Sequence, residues 1–304
     1  MRGLVTNINL SQLLCINELG WRLLCLADSN ILEYSFFQNA LIGSVLASIV
    51  CGLVGTYIVT RRLTFISGGI THASFGGIGI GVFLGVNPIV SEMVFSVLSA
   101  FGIQWLSRRG NVREDSAIAV FWAFGMSIGI LFCFLTPGFV PDLPSFLFGS
   151  ILTIESGNLW LLAALSVVTL FLFTAYYRMI VSTAFDPEFA RSQRLPVSLI
   201  EYAMMALIAM TIVSTLRMVG IVLAMSLLTI PQMTVNLFTY KFGRIAACSI
   251  LIGCIDCVIG LAMSYWLNVP SGASIIFVSI VIYCLCKAIK YTLKQLNKSE
   301  TAQR

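Results

Sequence analysis

Residues 65–85 read FISGGITHASFGGIGIGVFLG, an apolar stretch without a single Asp, Glu, Lys or Arg. A helix needs about 20 such residues to cross the hydrocarbon core of a bilayer. Small residues recur at every fourth position: Gly69, Ala73, Gly77, Gly81 and Gly85. On a helix these positions form one smooth face, which lets a neighbouring membrane helix approach closely. The stretch therefore predicts a membrane helix packed tightly against a neighbour.

The rest of the chain has the same apolar character. Of its 304 residues, 58% are hydrophobic and only 10% are charged, and the mean hydropathy is +0.95. Soluble domains carry about 25% charged residues, so this chain lacks the polar side chains that a water-facing surface requires. Its apolar residues are continuous rather than alternating, which argues against a β-barrel. We predict an all-α fold, a polytopic membrane helical bundle.

Nine membrane spans are predicted from apolar stretches of about 20 residues. They cover residues 36–60, 64–86, 88–106, 116–136, 158–177, 197–216, 218–239, 245–267 and 271–288. Pro231 is expected to kink the seventh span, because proline cannot donate a helical hydrogen bond. The apolar stretch 144–154 is too short to cross, and we predict a re-entrant or half-length helix there.

The predicted spans divide the chain into three parts. Residues 35–290 form the transmembrane domain, and residues 291–304 form a polar cytoplasmic tail. Residues 1–34 are an N-terminal extension that mixes Leu with Asn, Gln and Glu. We interpret the extension as an interfacial helix or as a consequence of start-site choice.

Basic residues set the orientation of the bundle. Fifteen of the 18 Lys and Arg residues follow the first, third, fifth, seventh and ninth spans. Loops rich in Lys and Arg stay on the cytoplasmic side of a membrane, so the C-terminus is expected in the cytoplasm. The net charge of +5 is therefore explained by topology, and no nucleic-acid partner is inferred.

His72 is the one histidine of the chain. Counted from residue 64, it lies about 12 Å inside the predicted span at ~1.5 Å per residue. Ionisable groups within a membrane are costly and often mark transport pathways, and imidazole is a common metal ligand. The alternative is a neutral imidazole hydrogen-bonded to a facing helix. Both interpretations stay open at this point.

Asp256 lies in the middle of the span predicted at 245–267. It shares a helix face with Ser249, Gly253, Gly260 and Ser264. An aspartate on such a face is expected to point into the bundle rather than toward lipid. With Cys254 and Cys257 nearby in sequence, it could bind a borderline divalent metal; the alternative is a hydrogen bond between helices.

One loop between spans carries the pattern of a short capped helix. Asp186 is a favourable N-cap, Pro187 suits the first helical position, and Glu188 suits the first turn. Leu195–Pro196 ends the segment. We interpret it either as a docking element for a cytoplasmic partner or as an ordinary surface helix.

Several short motifs occur along the chain in a characteristic order. They are Arg61-Arg62, Thr71-His72-Ala73-Ser74, REDSAI at 113–118, LFGSIL at 147–152, FDPEFA at 185–190, Met218-Val219-Gly220, Ile230-Pro231 and Pro270-Ser271-Gly272-Ala273. In these motifs the chain resembles the permease subunits of the metal ABC-transporter family, which import zinc, manganese or iron. The resemblance runs from about Phe36 to Tyr283.

The resemblance implies a complex rather than a lone chain. It implies a permease homodimer in the bacterial cytoplasmic (inner) membrane, two ATP-binding cassette ATPase subunits, and an extracytoplasmic metal-binding protein. ATP and Mg would bind the partner ATPase, and no cofactor is expected on this chain. The chain has no Walker A pattern, so it is not expected to be an enzyme. Alternating access would be driven by the ATPase subunits.

Residue roles also follow from the resemblance. His72 matches a family histidine thought to line the metal path. The ATPase-docking residues would be Phe185, Asp186, Pro187, Glu188, Ala190, Leu195 and Pro196. The family usually has an aspartate four residues before that histidine, where this chain has Gly68. It also usually has a small residue where this chain has Arg194.

Three other functions were weighed against metal import. A permease for a metal chelate, siderophore-like or corrinoid-like, would need a wider cavity. A membrane scaffold without transport would have a sealed apolar interface around His72 and Asp256. An intramembrane enzyme would need paired catalytic groups, which a single histidine does not supply. Selection among metals is expected at the binding protein rather than in this chain.

Overall fold

The structure is a computed structural model that describes residues 35–110, 112–137, 156–267 and 269–302. Within these ranges the chain is helical and contains no strand. The predicted N-terminal extension, 1–34, and the half-length helix predicted at 144–154 lie outside the described residues.

Twelve helices make up the described residues. They are α1 (Ser35–Thr60), α2 (Thr64–Leu84), α3 (Pro88–Arg109), α4 (Glu114–Leu135), α5 (Ser156–Ala175), α6 (Tyr177–Phe185), α7 (Pro187–Ser192), α8 (Val197–Val219), α9 (Ile221–Leu227), α10 (Ile230–Asn236), α11 (Phe242–Leu267) and α12 (Ser271–Ala302). Eight of these are long and apolar enough to cross a membrane, namely α1 to α5, α8, α11 and α12. The polar tail predicted from residue 291 continues helix α12.

The seventh predicted span is two short helices rather than one. Helix α9 ends at Leu227, and α10 begins beyond Thr229 with Pro231 in its first turn. Pro231 excludes the carbonyl of Leu227, four residues earlier, from a helical hydrogen bond. The side-chain amide of Gln232 replaces that bond, since Nε2 donates to Leu227 O at 3.1 Å and to Cys51 O of α1 at 2.8 Å. The interruption expected at Pro231 is therefore a two-residue turn at Leu228 and Thr229 that separates α9 from α10.

Helix α2 lies between α3 and α4 and touches the backbones of both. A Cβ added at Gly79 would lie 2.5 Å from Gly129 O of α4, and one added at Gly77 would lie 2.6 Å from Glu92 Cα of α3. No side chain fits at those distances, so glycine at these positions permits the contact.

The four-residue stripe of α2 serves both neighbours. Gly69 and Ala73 face α4, whereas Gly77 and Gly81 face α3. Gly85 ends the helix with φ +66, a left-handed conformation that favours glycine, and no atom lies within 4 Å of a Cβ built there. The stripe thus follows the groove between α3 and α4.

The outer helices present apolar side chains to their surroundings. Phe134 of α4 is 84% exposed, and Trp160 of α5 is 78% exposed. Helices α1, α2 and α8, in contrast, are mostly buried inside the bundle. Large exposed apolar surfaces on a helical bundle are typical of proteins solvated by lipid.

Candidate functional site

His72 lies half-buried on α2, and its ring stacks on Trp122 of α4. The ring centroids are 4.4 Å apart and the planes differ by 9°. Among the described residues, no hydrogen bond reaches the imidazole. The alternative interpretation of His72 was a hydrogen bond to a facing helix. The described residues show no such bond. The indole fixes the ring plane and leaves the ring nitrogens to meet another ligand.

A cavity of about 380 Å³ begins one helical turn from His72. Its walls come from α2, α4, the broken helix α9–α10 and α12. The lining residues are Thr64, Phe65, Ser67, Gly68, Trp122, Val222, Met225, Ser226, Thr229, Ile230 and Ile276. None of these side chains is charged, so the cavity offers hydroxyl, thioether and aromatic groups.

Gly68 is the position at which the family resemblance implies an aspartate. A Cβ built there would lie 3.1 Å from Met225 Cε and 3.6 Å from the ring of Trp122. A side chain at this position would therefore project between the thioether and the indole. Because Gly68 has no side chain, the space between Met225 and Trp122 is part of the cavity.

Asp256 occupies a different part of the bundle. Its carboxylate is fully buried on α11, and Ser279 Oγ of α12 donates to its Oδ2 at 2.7 Å. Helix α11 packs mainly against α1 and α12, whereas α2 packs mainly against α3 and α4. The bond to Ser279 is a hydrogen bond between helices, as in the alternative interpretation of Asp256. The lining of the cavity beside Gly68 does not include Asp256.

The cysteines near Asp256 do not complete a metal-binding cluster in the described structure. Cys257 is buried, with Sγ 3.8 Å from Ser48 Oγ of α1. No group of three or more His, Cys, Asp and Glu side chains that could hold a metal ion occurs among the described residues. His72 and Asp256 are therefore separate features of this chain.

The loop before α8 has the local structure that its sequence predicts. Asp186 caps helix α7, because its Oδ1 accepts from the backbone N–H groups of Glu188 at 3.0 Å and Phe189 at 2.9 Å. Pro187 begins the helix. Phe185 and Phe189 are each more than half exposed, whereas Ala190 is buried against the bundle. The loop thus presents two aromatic side chains on a rigid, capped turn.

Helix α7 ends in an αL turn at Arg194. Leu195 N donates to Ala190 O at 3.2 Å and Arg194 N donates to Arg191 O at 2.9 Å, which is the Schellman pattern. Arg194 has φ +58, a region that costs a residue with a Cβ about 1 kcal/mol relative to glycine. The resemblance implies a small residue at this position, and the backbone supplies a physical reason for one.

Replacing Arg194 by glycine is expected to stabilise the loop that contains α7. Relief of the left-handed strain should slow amide hydrogen exchange at Leu195 about fivefold, since ~1 kcal/mol corresponds to that factor in an equilibrium constant. Hydrogen exchange measured by mass spectrometry on the purified protein tests this. Arg191→Gly is the control and should speed exchange, because residue 191 is helical. Faster exchange in Arg194→Gly would contradict the strain argument.

Glu201, in the second turn of α8, joins several helix ends. Its Oε1 lies 3.3 Å from Arg61 Nη2, and its Oε2 accepts from Gln104 Nε2 at 2.8 Å and pairs with Arg108. Arg61 also lies 3.9 Å from Glu114. The side chain of Glu201 is only 3% exposed. We call these five residues the Glu201 cluster.

The Glu201 cluster joins the ends of four helices that the sequence predicts on the same side of the membrane. Arg61 follows α1, Gln104 and Arg108 belong to the end of α3, Glu114 begins α4, and Glu201 lies in the second turn of α8. The alternation of basic loops predicts these boundaries at one face of the membrane, and they meet at one end of the bundle. Sequence reasoning missed Glu201 itself. The available signal was its position as the one acidic residue within the span predicted at 197–216.

Comparisons with known proteins point to one family. Residues 33–290 match the model of the ABC 3 transport family. An uncharacterized membrane protein of Synechocystis sp. is 39% identical, over 85% of this chain and 92% of its own length. The manganese transport system membrane protein MntC of Listeria monocytogenes is 30% identical, over 83% of this chain and 90% of its own length.

Solved structures agree with this assignment. The structure of PsaBC from Streptococcus pneumoniae in complex with Fab matches with a TM-score of 0.75 and 26% identity, over 85% of this chain and 93% of that one. A metal-chelate type ABC transporter in an inward-facing conformation has a TM-score of 0.67 but 12% identity, and so shares the fold alone. With a family match over most of its length and a relative that is 39% identical, this multi-pass membrane protein belongs to the ABC 3 transport family of ABC-transporter permeases.

Proposed function

We propose that this chain is the permease subunit of an importer for divalent metal cations, with His72 on the translocation path. The observation that carries the proposal is the imidazole of His72, which lies within a membrane helix, stacks on Trp122 and meets no hydrogen-bond partner among the described residues. A histidine held in this way is ready to accept a metal ion. Relatives named as manganese transport proteins support the same function.

The path would hold its ion weakly. One imidazole stands beside a cavity whose lining carries no charge, and few strong ligands mean fast release. Fast release suits a permease, because an ion that binds too tightly blocks its own transport. Alternating access then opens the path to one side of the membrane at a time.

The partners would dock at opposite ends of the bundle. The end that contains the Glu201 cluster would face the cytoplasm, because basic residues collect there, and the C-terminus would lie on that side of a bacterial inner membrane. An ATP-binding cassette ATPase would contact the exposed Phe185 and Phe189 of the loop that contains α7. ATP and Mg would bind that subunit, so this chain would hydrolyse nothing itself. An extracytoplasmic metal-binding protein would deliver the ion at the other end.

A homodimer would complete the path. In one protomer, His72 and the cavity are formed by α2, α4, α9, α10 and α12. A second copy would contribute a second His72 and a second cavity to the path. Asp256 is a separate candidate for the path, since its Oδ1 has no hydrogen-bond partner among the described residues. Its bond to Ser279 supports a structural role equally well.

Replacing His72 by alanine is expected to lower metal uptake at least about tenfold, because loss of a metal-orienting group typically costs 10- to 100-fold. Uptake of Mn²⁺, Zn²⁺ and Fe²⁺ would be measured in vesicles that contain the whole complex. Asp256→Asn is tested in parallel and should have a smaller effect, because its amide still accepts from Ser279. Thr174→Ala, on the exposed face of α5, is the matched control and should transport like the parent.

Assembly must be followed together with transport. Copurification of the ATPase shows whether each variant still forms the complex. Uptake of all three ions at the parental rate in His72→Ala would remove His72 from the path. A metal chelate is the second candidate substrate, favoured by the uncharged lining and by a volume within the ~300–1,000 Å³ of small-molecule sites. Uptake of a chelated metal but of no free ion would select it.

A further inference from the structure

We propose that the end of α12 and the start of α11 form a binding surface for the phosphate headgroup of an anionic membrane lipid. The surface consists of Lys287, Lys290 and Lys294 of α12, Lys241 directly before α11, and Arg244 in the first turn of α11. We call these five residues the basic patch. Its partner is a lipid such as phosphatidylglycerol, whichever ion the permease transports.

The packing of α11 against α12 brings the five cations to one level of the bundle. A Cβ built at Gly260 of α11 would lie 2.5 Å from Ile275 Cα of α12. A short turn connects the two helices, so they run antiparallel. An equal number of residues from this contact along each helix, Arg244 is level with Tyr291, between the last two lysines of the patch. The basic start of α11 therefore lies beside the basic end of α12.

The basic patch lies at the same end of the bundle as the Glu201 cluster. Phe242, the first residue of α11, stacks on Phe173 of α5 with ring centroids 6.3 Å apart, and it meets Tyr177 of α6 edge-on at 6.2 Å. Helices α5 and α6 lead into the loop that contains α7 and then into α8, which carries Glu201. Both groups of cations therefore lie at the same surface of the membrane.

The two groups of cations differ in their counter-charges. In the Glu201 cluster, Arg61 and Arg108 pair with the buried carboxylate of Glu201. Within the part of the chain that the structure describes, no carboxylate lies within 4 Å of any cation of the basic patch. Like charges held at one level repel one another. An anion from outside the chain relieves this repulsion.

The lysines of the patch lie at the depth of the lipid headgroups. Helix α12 begins at Ser271, and about 20 residues at ~1.5 Å per residue cover the ~30 Å hydrocarbon core of a bilayer. The core thus ends near Lys290, and Lys294 lies beyond it. Lys287 lies in the last turn of the core, and its long stem carries the ammonium group toward the headgroups. Basic surfaces between membrane helices at this depth bind anionic headgroups.

Lys290 ties the patch to the end of α10. Its Nζ donates to Leu237 O, the carbonyl that follows α10. An ammonium group has three donors, so two remain for a phosphate. Tyr240 and Tyr291, the chain neighbours of Lys241 and Lys290, are 75% and 63% exposed, and tyrosine is enriched where a membrane meets water. The ends of three helices thus meet at a surface suited to the membrane interface.

Exposed apolar side chains continue from the patch toward the middle of the membrane. Ile280 lies two helical turns before Lys287 on the same face of α12 and is 46% exposed. On α11, Leu251 and Ile255 are 64% and 49% exposed. A lipid whose phosphate binds the patch can lay an acyl chain along these side chains. A soluble anion has no such part, so the surface fits a lipid.

The combined variant Lys287→Gln, Lys290→Gln and Lys294→Gln tests the patch. Each lysine near an anionic lipid surface raises affinity about fivefold, so the loss of all three should weaken phosphatidylglycerol binding at least about tenfold. Native mass spectrometry of the purified permease, titrated with phosphatidylglycerol, measures the dissociation constant. Phosphatidylcholine with the same acyl chains is the reference lipid. It should bind the parent and the variant equally weakly, because its headgroup carries no net charge.

Two further variants separate lipid binding from folding and from total charge. Replacing the same three lysines by arginine keeps the charge and should leave phosphatidylglycerol binding at the parental level. Arg62→Gln, Arg109→Gln and Arg113→Gln together remove three exposed cations from the same end of the bundle, at α1, α3 and α4. This control should also bind phosphatidylglycerol like the parent.

Several results would overturn the proposal. Equal affinities of the parent for the two lipids, or parental affinity for phosphatidylglycerol in the glutamine variant, would exclude a lipid site at the patch. Displacement of the lipid by millimolar inorganic phosphate would show that the acyl chains add nothing and that the patch binds free phosphate. Loss of ATPase copurification in the glutamine variant, with lipid binding unchanged, would assign the patch to the ATPase instead.

Discussion

Replacing Glu201 by alanine is expected to lower the free energy of unfolding of this permease by about 3 kcal/mol, the low end of the cost of leaving a buried charge unpaired. The carboxylate is 3% exposed and is the shared partner of Arg61 and Arg108, whose side chains are 14% and 23% exposed. Without it, two guanidinium groups face each other across the ends of α1 and α3. Gln104 also loses its acceptor.

Thermal unfolding in detergent, followed by tryptophan fluorescence, measures this effect. Glu188→Ala is the matched control, because Glu188 is 88% exposed and its pair with Arg191 spans 3.9 Å. Exposed pairs of this kind contribute about 0–1 kcal/mol, so the control should unfold near the parental temperature. Equal unfolding temperatures for Glu201→Ala and the parent would show that the cluster does not hold the helix ends together.

The Glu201 cluster also connects the loop that contains α7 to the bundle. Glu201 follows the loop by one turn of α8, and Arg108 Nη1 donates to Ser198 Oγ at 3.0 Å. Motion of a partner bound at Phe185 and Phe189 would therefore reach α1 and α3 through this cluster. The Glu201 cluster and the loop that carries Phe185 and Phe189 thus lie at the same end of the molecule.

Much of the fold could be predicted because a membrane constrains sequence strongly. A helix in lipid must be apolar for about 20 residues. The ends of the apolar stretches therefore predict the boundaries of α2 and α11 to within a few residues. Capping is equally local, which explains why Asp186 and Pro187 were placed correctly. The sequence predicted only a kink at Pro231 in the seventh span. The interruption between α9 and α10 is also stabilised by the hydrogen bond from Gln232 to Cys51 on α1, and this contact between distant segments could not be read from the sequence.

The site was less predictable because its parts come from distant segments. His72 stood out as the one histidine, but nothing in its own helix indicates the ring of Trp122, fifty residues later. The contact between Gly68 and Met225 likewise depends on how α9 lies against α2. Asp256 was recognised as buried, yet its partner Ser279 follows from packing. Composition identifies unusual residues, and tertiary structure decides which of them meet.

Replacing Gly79 by valine is expected to lower the free energy of unfolding by about 3 kcal/mol, the upper end of typical overpacking costs. A Cβ at this position would lie 2.5 Å from Gly129 O and 2.8 Å from Gly129 Cα. These are backbone atoms, so neither a rotamer change nor a flexible side chain can relieve the overlap. Helix α4 must move away from α2 by about 1 Å to restore normal contact distances.

Gly157→Val separates this packing effect from the general effect of removing glycine. Gly157 lies in helix α5 with no atom within 4 Å of a built Cβ, so valine there should leave the unfolding temperature near that of the parent. Because α2 and α4 also carry His72 and Trp122, the displacement in Gly79→Val should separate the stacked rings and lower metal uptake in whatever protein still folds. An unchanged unfolding temperature in Gly79→Val would mean that α2 and α4 do not touch at Gly129. The same close contact would then no longer explain how the imidazole is held in place.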